Sequence, residues 1–423
     1  MRIGLLPGNR DHGGVYQYSL AMIDALDARG PDDYVLVHNR TGGFPVEDAV
    51  AAGWTAAALP AAPAPPLARA RAVARALGLR RVLRHDLRIV YPDPDVVRHD
   101  AVLDAWLGGL GIDLMLYPVP TTAAFEVATP YVAAVHDLQH RLQPEFPEVS
   151  AGGEAETREY LFRNLVRGAL IVLVDSEIGK EDALDLYAGH GLDASRVHVL
   201  PFVPPAYLLD ASPPDLEGVR ERYGLPERYL FYPAQFWPHK NHDRLVRALA
   251  LLRDEHGVEA GLVLCGSREG DIRERTHASL AALVRELRLE RRVTELGYVP
   301  DADMRALYAG AVALVMPTFF GPTNIPVLEA WSAGCPVITS DIRGIREQVG
   351  DAALLADPRS PEAIAAAIAR LWDDAALAAV LAERGRLRLR AYGPNEYRQR
   401  LQAVVEEARE LVSGGERGWR QWR

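Results

Sequence analysis

Short apolar, β-branched runs alternate with longer stretches of helical period along almost the whole chain, and the rhythm restarts after a cluster of prolines. Runs of this kind describe strands buried on both faces, which means a parallel sheet covered by helices on each side. The first series predicts strands at Ile3 to Leu6, Tyr34 to His38, Asp113 to Tyr117, Tyr131 to Val135, Ile171 to Val174 and Val197 to Leu200. The second predicts Tyr229 to Tyr232, Gly261 to Cys265, Val293 to Leu296, Ala313 to Met316, Val337 to Thr339 and Ala353 to Leu355. Between them, Pro201 to Asp215 carries Pro201, Pro204, Pro205, Pro213 and Pro214, which neither a helix interior nor a central strand accepts. The expected fold class is therefore α/β, with two doubly wound parallel-sheet domains, and 423 residues give each one enough chain to bury a core.

Composition excludes several functions. Hydrophobic residues at 49% and charged residues at 25% are globular values, so disorder and fibrous repeats do not fit. A formal charge of −10 argues against nucleic acid as the main partner, because phosphate neutralisation needs a basic surface. The chain has no apolar run long enough to span a bilayer and too short an apolar N-terminus for a signal peptide, so a cytoplasmic protein is expected. Its two cysteines, Cys265 and Cys335, each adjoin a strand-like run, where a reduced buried thiol is the ordinary role. One segment resists the βα rhythm, Thr41 to Asp100. Its arginines, Arg69, Arg71, Arg75, Arg80, Arg81, Arg84 and Arg88, describe either a solvated helix face or a peripheral contact with anionic lipid at the inner face of a membrane.

In doubly wound folds ligands sit beyond the carboxyl ends of the strands, so the loops there carry the functional candidates. Gly13 and Gly14 open a helix after the first strand and allow a ligand close to the backbone. His136 and Asp137 end another strand; the imidazole suits a sugar hydroxyl or a developing negative charge, and Asp137 suits fixing its tautomer. His140 follows without a third ligand to complete a zinc set. Lys240 falls in the first turn of a helix, where a cation opposes the helix dipole unless an anion binds there. Further on, Pro326 suits a helix start with Asn324 or Thr323 as its cap, which would turn the amides from Thr323 through Ile325 to Val327 outward as an anion nest. Glu329 then sits in the first turn, suited either to complementing the dipole or to accepting from vicinal hydroxyls such as a ribose's. Asp93-Pro94-Asp95 and Asp301-Ala302-Asp303 mimic a metal-binding Asp-x-Asp, a spacing common by chance in a chain with 57 acidic residues, so no metal or other cofactor is expected.

Taken in order, Gly297-Tyr298-Val299, Ala306-Leu307-Tyr308, Pro326-Val327-Leu328-Glu329-Ala330, Gly334-Cys335-Pro336-Val337-Ile338 and Gly350-Asp351-Ala352-Ala353-Leu354-Leu355 resemble the retaining, nucleotide-sugar-dependent glycosyltransferases of GT-B architecture, family 4 type. The resemblance spans nearly the whole chain and is densest from Tyr229 to Leu371. It implies two Rossmann-like domains facing a cleft. Residues 1–204, with a returning helix at about 392–423, would form the acceptor side, and residues 205–391 would bind the nucleotide sugar. It implies that Lys240 holds the donor diphosphate, Glu329 the ribose and His136 the transferred sugar, with Gly13 and Gly14 approaching from the opposite domain. The backbone at Tyr298 and Val299 would read the base, and Gly266 and Ile325 join the donor-binding candidates. The implied activity is transfer of a sugar, with retention and without a metal, to a hydroxyl acceptor that is a glycan, a lipid-linked acceptor or a small molecule. A sugar-nucleotide epimerase and a non-catalytic nucleotide-sugar binder remain open. Two departures stand out: the family's arginine five residues before the lysine is Gln235, and its glutamate eight residues before the second glutamate is Gly321.

Overall fold

The computed structural model describes residues 1–9, 13–26, 30–39, 43–60, 96–209 and 212–414. The arginine-rich segment, the Asp93-Pro94-Asp95 motif and the tail beyond residue 414 lie outside the described residues. Two all-parallel sheets organise the rest. The first contains β1 (Arg2–Leu5), β2 (Asp33–His38), β3 (Thr55–Ala58), β4 (Leu114–Tyr117), β5 (Tyr131–Ala134), β6 (Ile171–Val174) and β7 (Val197–Val199), in the order β3-β2-β1-β4-β5-β6-β7. The second contains β8 (Tyr229–Pro233), β9 (Gly261–Cys265), β10 (Val293–Glu295), β11 (Ala313–Met316), β12 (Val337–Ser340) and β13 (Leu354–Ala356), in the order β10-β9-β8-β11-β12-β13. Together they form the GT-B fold.

Side-chain alternation explains the layering. In the first sheet Ile3, Leu5, Leu114, Leu116, Val132 and Ala134 enter one apolar cluster, whereas Met115, Tyr117, Tyr131 and Ala133 enter the other. Neighbouring residues face opposite sides, so both faces need apolar side chains and both are covered.

β3 departs from the sequence expectation. Its Thr-Ala-Ala-Ala has little β propensity, yet it pairs with Val35 to His38 as the sheet's edge, so pairing overrides composition.

The helix Pro394–Ser413 returns to the first domain. It buries Tyr397, Leu401, Val404, Val405 and Ala408 in one helical stripe against the helix Gly14–Ala25, and Arg409 Nη2 pairs with Asp32 Oδ2 at 2.5 Å. Among the described residues no helix is long and apolar enough to cross a membrane.

Each sheet reverses its strand order once, between β1 and β4 and between β8 and β11. These two switch points place crevices at the carboxyl ends of the strands.

Candidate functional site

The two switch points meet. A Cβ built on Gly14 would lie 3.1 Å from Ile325 Cδ1, and one on Gly13 would lie 4.0 Å from Gln235 Nε2. At Gly13 and Gly14 the end of the loop after β1 thus lies against the loop after β8 and the helix that follows β11. Gly8 N–H donating to Ser19 Oγ at 3.0 Å ties that loop to its helix.

Lys240 does not lie in a helix's first turn as its spacing suggested. It ends a single 3₁₀ turn, Pro238–Lys240, and Asn241 separates it from the helix His242–His256. Asn241 takes a left-handed conformation (φ 62°), is 1% exposed, and donates from Nδ2 to the carbonyls of Pro317 at 2.8 Å and Pro358 at 2.7 Å. The lysine's turn is therefore pinned to the ends of β11 and β13. Its ammonium has no hydrogen bond or ion pair among the described residues. Burial pulls its pKa down to about 8, against the attraction of Asp137 and Glu148.

Glu329 is the fifth residue of the helix Ile325–Ser332, one turn deeper than expected. Burial raises its pKa, and two tyrosines oppose that by donating to the carboxylate: Tyr207 to Oε1 at 2.9 Å and Tyr308 to Oε2 at 2.5 Å. The expected anion nest before this helix is partly consumed. Asn324 does not cap the helix; its backbone N–H donates to Gln348 Oε1 at 3.0 Å, and its side chain donates to the Gly321 carbonyl at 3.3 Å. Thr323 hydrogen-bonds across the cleft to Asp175 instead of serving an anion.

Gly321, where the resemblance implies a glutamate, sits in a backbone conformation suited to glycine. Its φ is 128°, a backbone conformation that strains any side chain, and a Cβ there would meet Asn324 Nδ2 at 2.6 Å, so the folded-over asparagine would also have to move. Gln235 accepts at Oε1 from Trp237 Nε1 (2.9 Å) and Arg273 Nη1 (2.8 Å). Gly266 must be glycine for the same loop: its φ is 152°, and a Cβ would lie 2.4 Å from the Ala234 carbonyl oxygen. Its N–H donates to the Gly297 carbonyl at 3.1 Å, which joins the loops after β9 and β10 beside Tyr298, which is 71% exposed, and buried Val299.

His136 takes a different partner from the one expected. Nε2–H donates to the Pro118 carbonyl at 2.7 Å, so that carbonyl rather than Asp137 fixes the tautomer and leaves Nδ1 as the acceptor. Asp137 instead accepts from Arg158 Nη1 at 3.1 Å and from the Gln139 amide at 3.2 Å. Burial lowers the His136 pKa, so the ring is neutral at pH 7; Tyr18 meets it edge-on at 4.8 Å and Phe202 stacks on it at 5.6 Å. His140 is engaged by Glu159 at 3.4 Å. Asp303 is engaged by Arg222 at 2.5 Å and Tyr223 at 2.6 Å. Both thiols are buried, and burial pushes Cys335 up to about 12.

Sequence reasoning missed the groups that join the domains. Asp175, directly after β6, is 3% exposed; burial lifts its carboxyl to about 7, against hydrogen bonds from Thr323 and Ser176. Glu148 accepts from His239 Nδ1 at 2.6 Å and from the His239 amide at 3.1 Å, and burial takes that imidazole down to about 4. Gln143 Nε2 donates to the Phe319 carbonyl at 2.9 Å. The carboxylate of Glu347 accepts from the amides of Glu177 (3.1 Å) and Ile178 (3.2 Å) at the N-terminus of the helix Glu177–Tyr187.

Residues 219–388 match the model of the family described as glycosyl transferases group 1. The O-antigen chain mannosyltransferase B of Escherichia coli is 30% identical over 257 residues, which cover 60% of this chain and 64% of that protein, just under two thirds of its length. A D-inositol 3-phosphate glycosyltransferase of Nocardia farcinica is 27% identical over 388 residues, covering 90% of this chain and 80% of the relative. Among solved structures, Anabaena HepE in complex with UDP-glucose has a TM-score of 0.71 at 18% identity, covering 96% of this chain and 99% of that one. That last likeness is one of fold.

Proposed function

Residues 219–388 match the glycosyl transferases group 1 family model, and on that match we propose that the chain moves a sugar from a nucleoside diphosphate to a hydroxyl acceptor with retention of configuration. The observation that carries the reading is the Lys240 ammonium, half-buried at a switch point with no hydrogen bond or ion pair among the described residues. An arriving diphosphate would supply a direct partner.

The bond from the anomeric carbon to the diphosphate breaks with charge accumulating on phosphate oxygens, so the main task is electrostatic. Lys240 meets that charge. Glu329 has two lone-pair sites beyond those its tyrosines fill, and these accept from ribose hydroxyls. Nδ1 of His136 accepts from a sugar hydroxyl rather than donating a positive charge. The acceptor oxygen attacks on the face the diphosphate leaves, and its proton passes to the departing phosphate oxygen. The mannosyltransferase name of one relative and the UDP-glucose bound by HepE support a hexosyl donor of this class.

Thermal shifts with UDP-, GDP-, ADP- and dTDP-sugars would identify the base, because ligand stabilisation follows the logarithm of saturation. With that donor, Lys240→Ala is expected to lower kcat by about 10²- to 10³-fold, the size of effect seen when one such stabilising group is removed. Glu329→Ala is expected to raise the donor KM. Near-normal turnover in both variants refutes the reading, as does product that forms without any acceptor.

A further inference from the structure

We infer that Arg273 supplies the second positive charge of the donor's diphosphate subsite, from the helix Asp271–Glu286 rather than from the loop after β8. The inference rests on the donor reading of Lys240 given above.

Arg273 is held from two sides. Nη1 donates to Gln235 Oε1 at 2.8 Å, and its guanidinium carbon lies 4.6 Å from the centre of the Trp237 ring. Neither partner is an anion. No carboxylate lies within ion-pairing distance of it among the described residues, and its Nε is buried without a hydrogen-bond partner. A chain with 57 acidic residues against 47 basic ones has carboxylates to spare, and held guanidinium groups ordinarily find one. Lys240, on the turn against which the same helix packs, is in the same position. Two cations that make no ion pair among the described residues therefore flank one loop at a ligand-binding switch point, opposite Gly13.

Gln235 fits this arrangement and an arginine would not. Its amide oxygen takes two donors at once, Trp237 Nε1 and Arg273 Nη1. A guanidinium at position 235 has no acceptor to offer and would stand against Arg273 as a like charge. The glutamine that the family comparison marks as a loss is thus the residue that aims Arg273, and the charge has moved rather than vanished.

The test measures binding of UDP, GDP, inorganic pyrophosphate and the matching free nucleosides by calorimetry. Arg273→Gln is expected to weaken nucleoside diphosphate and pyrophosphate binding tenfold or more and to leave nucleoside binding unchanged. Gln235→Glu, which gives Arg273 an internal counter-ion, is expected to weaken the same ligands while raising the melting temperature. The double variant Gln235→Arg with Arg273→Gln is expected to recover most of the lost affinity. Diphosphate binding within twofold of wild type in Arg273→Gln, or a double variant as weak as the single one, overturns the inference and leaves the donor reading standing. Wild-type binding of pyrophosphate but of no nucleotide overturns the donor reading alone, and binding of neither overturns both.

Discussion

Replacing Asn241 removes the pin that places Lys240. The side chain fills two acceptors, the carbonyls of Pro317 and Pro358, in a spot that is 1% exposed. Leaving a buried acceptor without a donor costs about 1–3 kcal/mol, so Asn241→Gly, which keeps the backbone free to adopt φ 62°, is expected to destabilise by about 2–6 kcal/mol. Asn241→Ala adds the penalty of a Cβ in the left-handed region and should be worse by a further ~1 kcal/mol. Urea unfolding followed by tryptophan fluorescence gives both values, and nucleoside diphosphate affinity measured on the folded variants gives the consequence for the lysine, an expected loss of tenfold or more. An Asn241→Gly protein less than about 1 kcal/mol below wild type refutes the pinning argument. A destabilised variant that keeps wild-type affinity refutes the link to Lys240.

Three other outcomes follow from the cleft. Asp175, raised to about 7, favours folding below the ordinary carboxyl pKa and loses that contribution as pH rises from there to 7, so Asp175→Asn should flatten the fall in melting temperature between pH 4 and 7; superimposable profiles would contradict this. Burial works to raise Glu148, but its bonds to His239 prevail and hold it below the usual range, so its contribution is present at pH 7 and lost on acidification. Glu148→Gln should therefore lower stability at pH 7 by about 2 kcal/mol, with the loss shrinking as the pH falls below the ordinary carboxyl range, as judged by urea midpoints. Placing the glutamate that the resemblance implies, with Gly321→Glu, should cost about 1–3 kcal/mol through backbone strain and displacement of Asn324, with no gain in donor affinity; a stable, tighter-binding variant would show that the loop yields.

How much was legible depended on whether a feature is local. Strands such as Ile171–Val174 declare themselves because a doubly buried strand must be apolar at every position, whereas Thr55–Ala58 does not, because three alanines state no preference and only the partner strand settles their conformation. Lys240 and Glu329 stand out as candidates because each sits in an unusual local context. Their environments do not: Tyr207 lies 122 residues from the carboxylate it serves, and Thr323 lies 148 residues from Asp175. Asp175 did carry a signal, since it follows β6 directly, as His136 lies just past the end of β5, and both strand ends open towards the cleft. Arg273 carried none, being one charge among several on an amphipathic helix. Gln235 was read as a missing charge because its partner is 38 residues away.

The helix Pro394–Ser413 has a consequence for the order in which the molecule is made. Its stripe from Tyr397 to Ala408 completes an apolar cluster begun by Ile3 and Leu5, and Arg409 reaches an aspartate 377 residues earlier. During synthesis the first sheet must therefore wait, with part of that face uncovered, while all six strands of the second sheet are translated. At roughly 5–20 residues per second, that interval lasts tens of seconds or less, time in which the second domain can fold by itself and the first cannot close. Closure of the first domain, with its contacts of very large sequence separation, is then the slow and last event. The nascent chain is most exposed to aggregation on the face that the late helix covers, and supplying residues 394–413 as a separate peptide would shorten the wait.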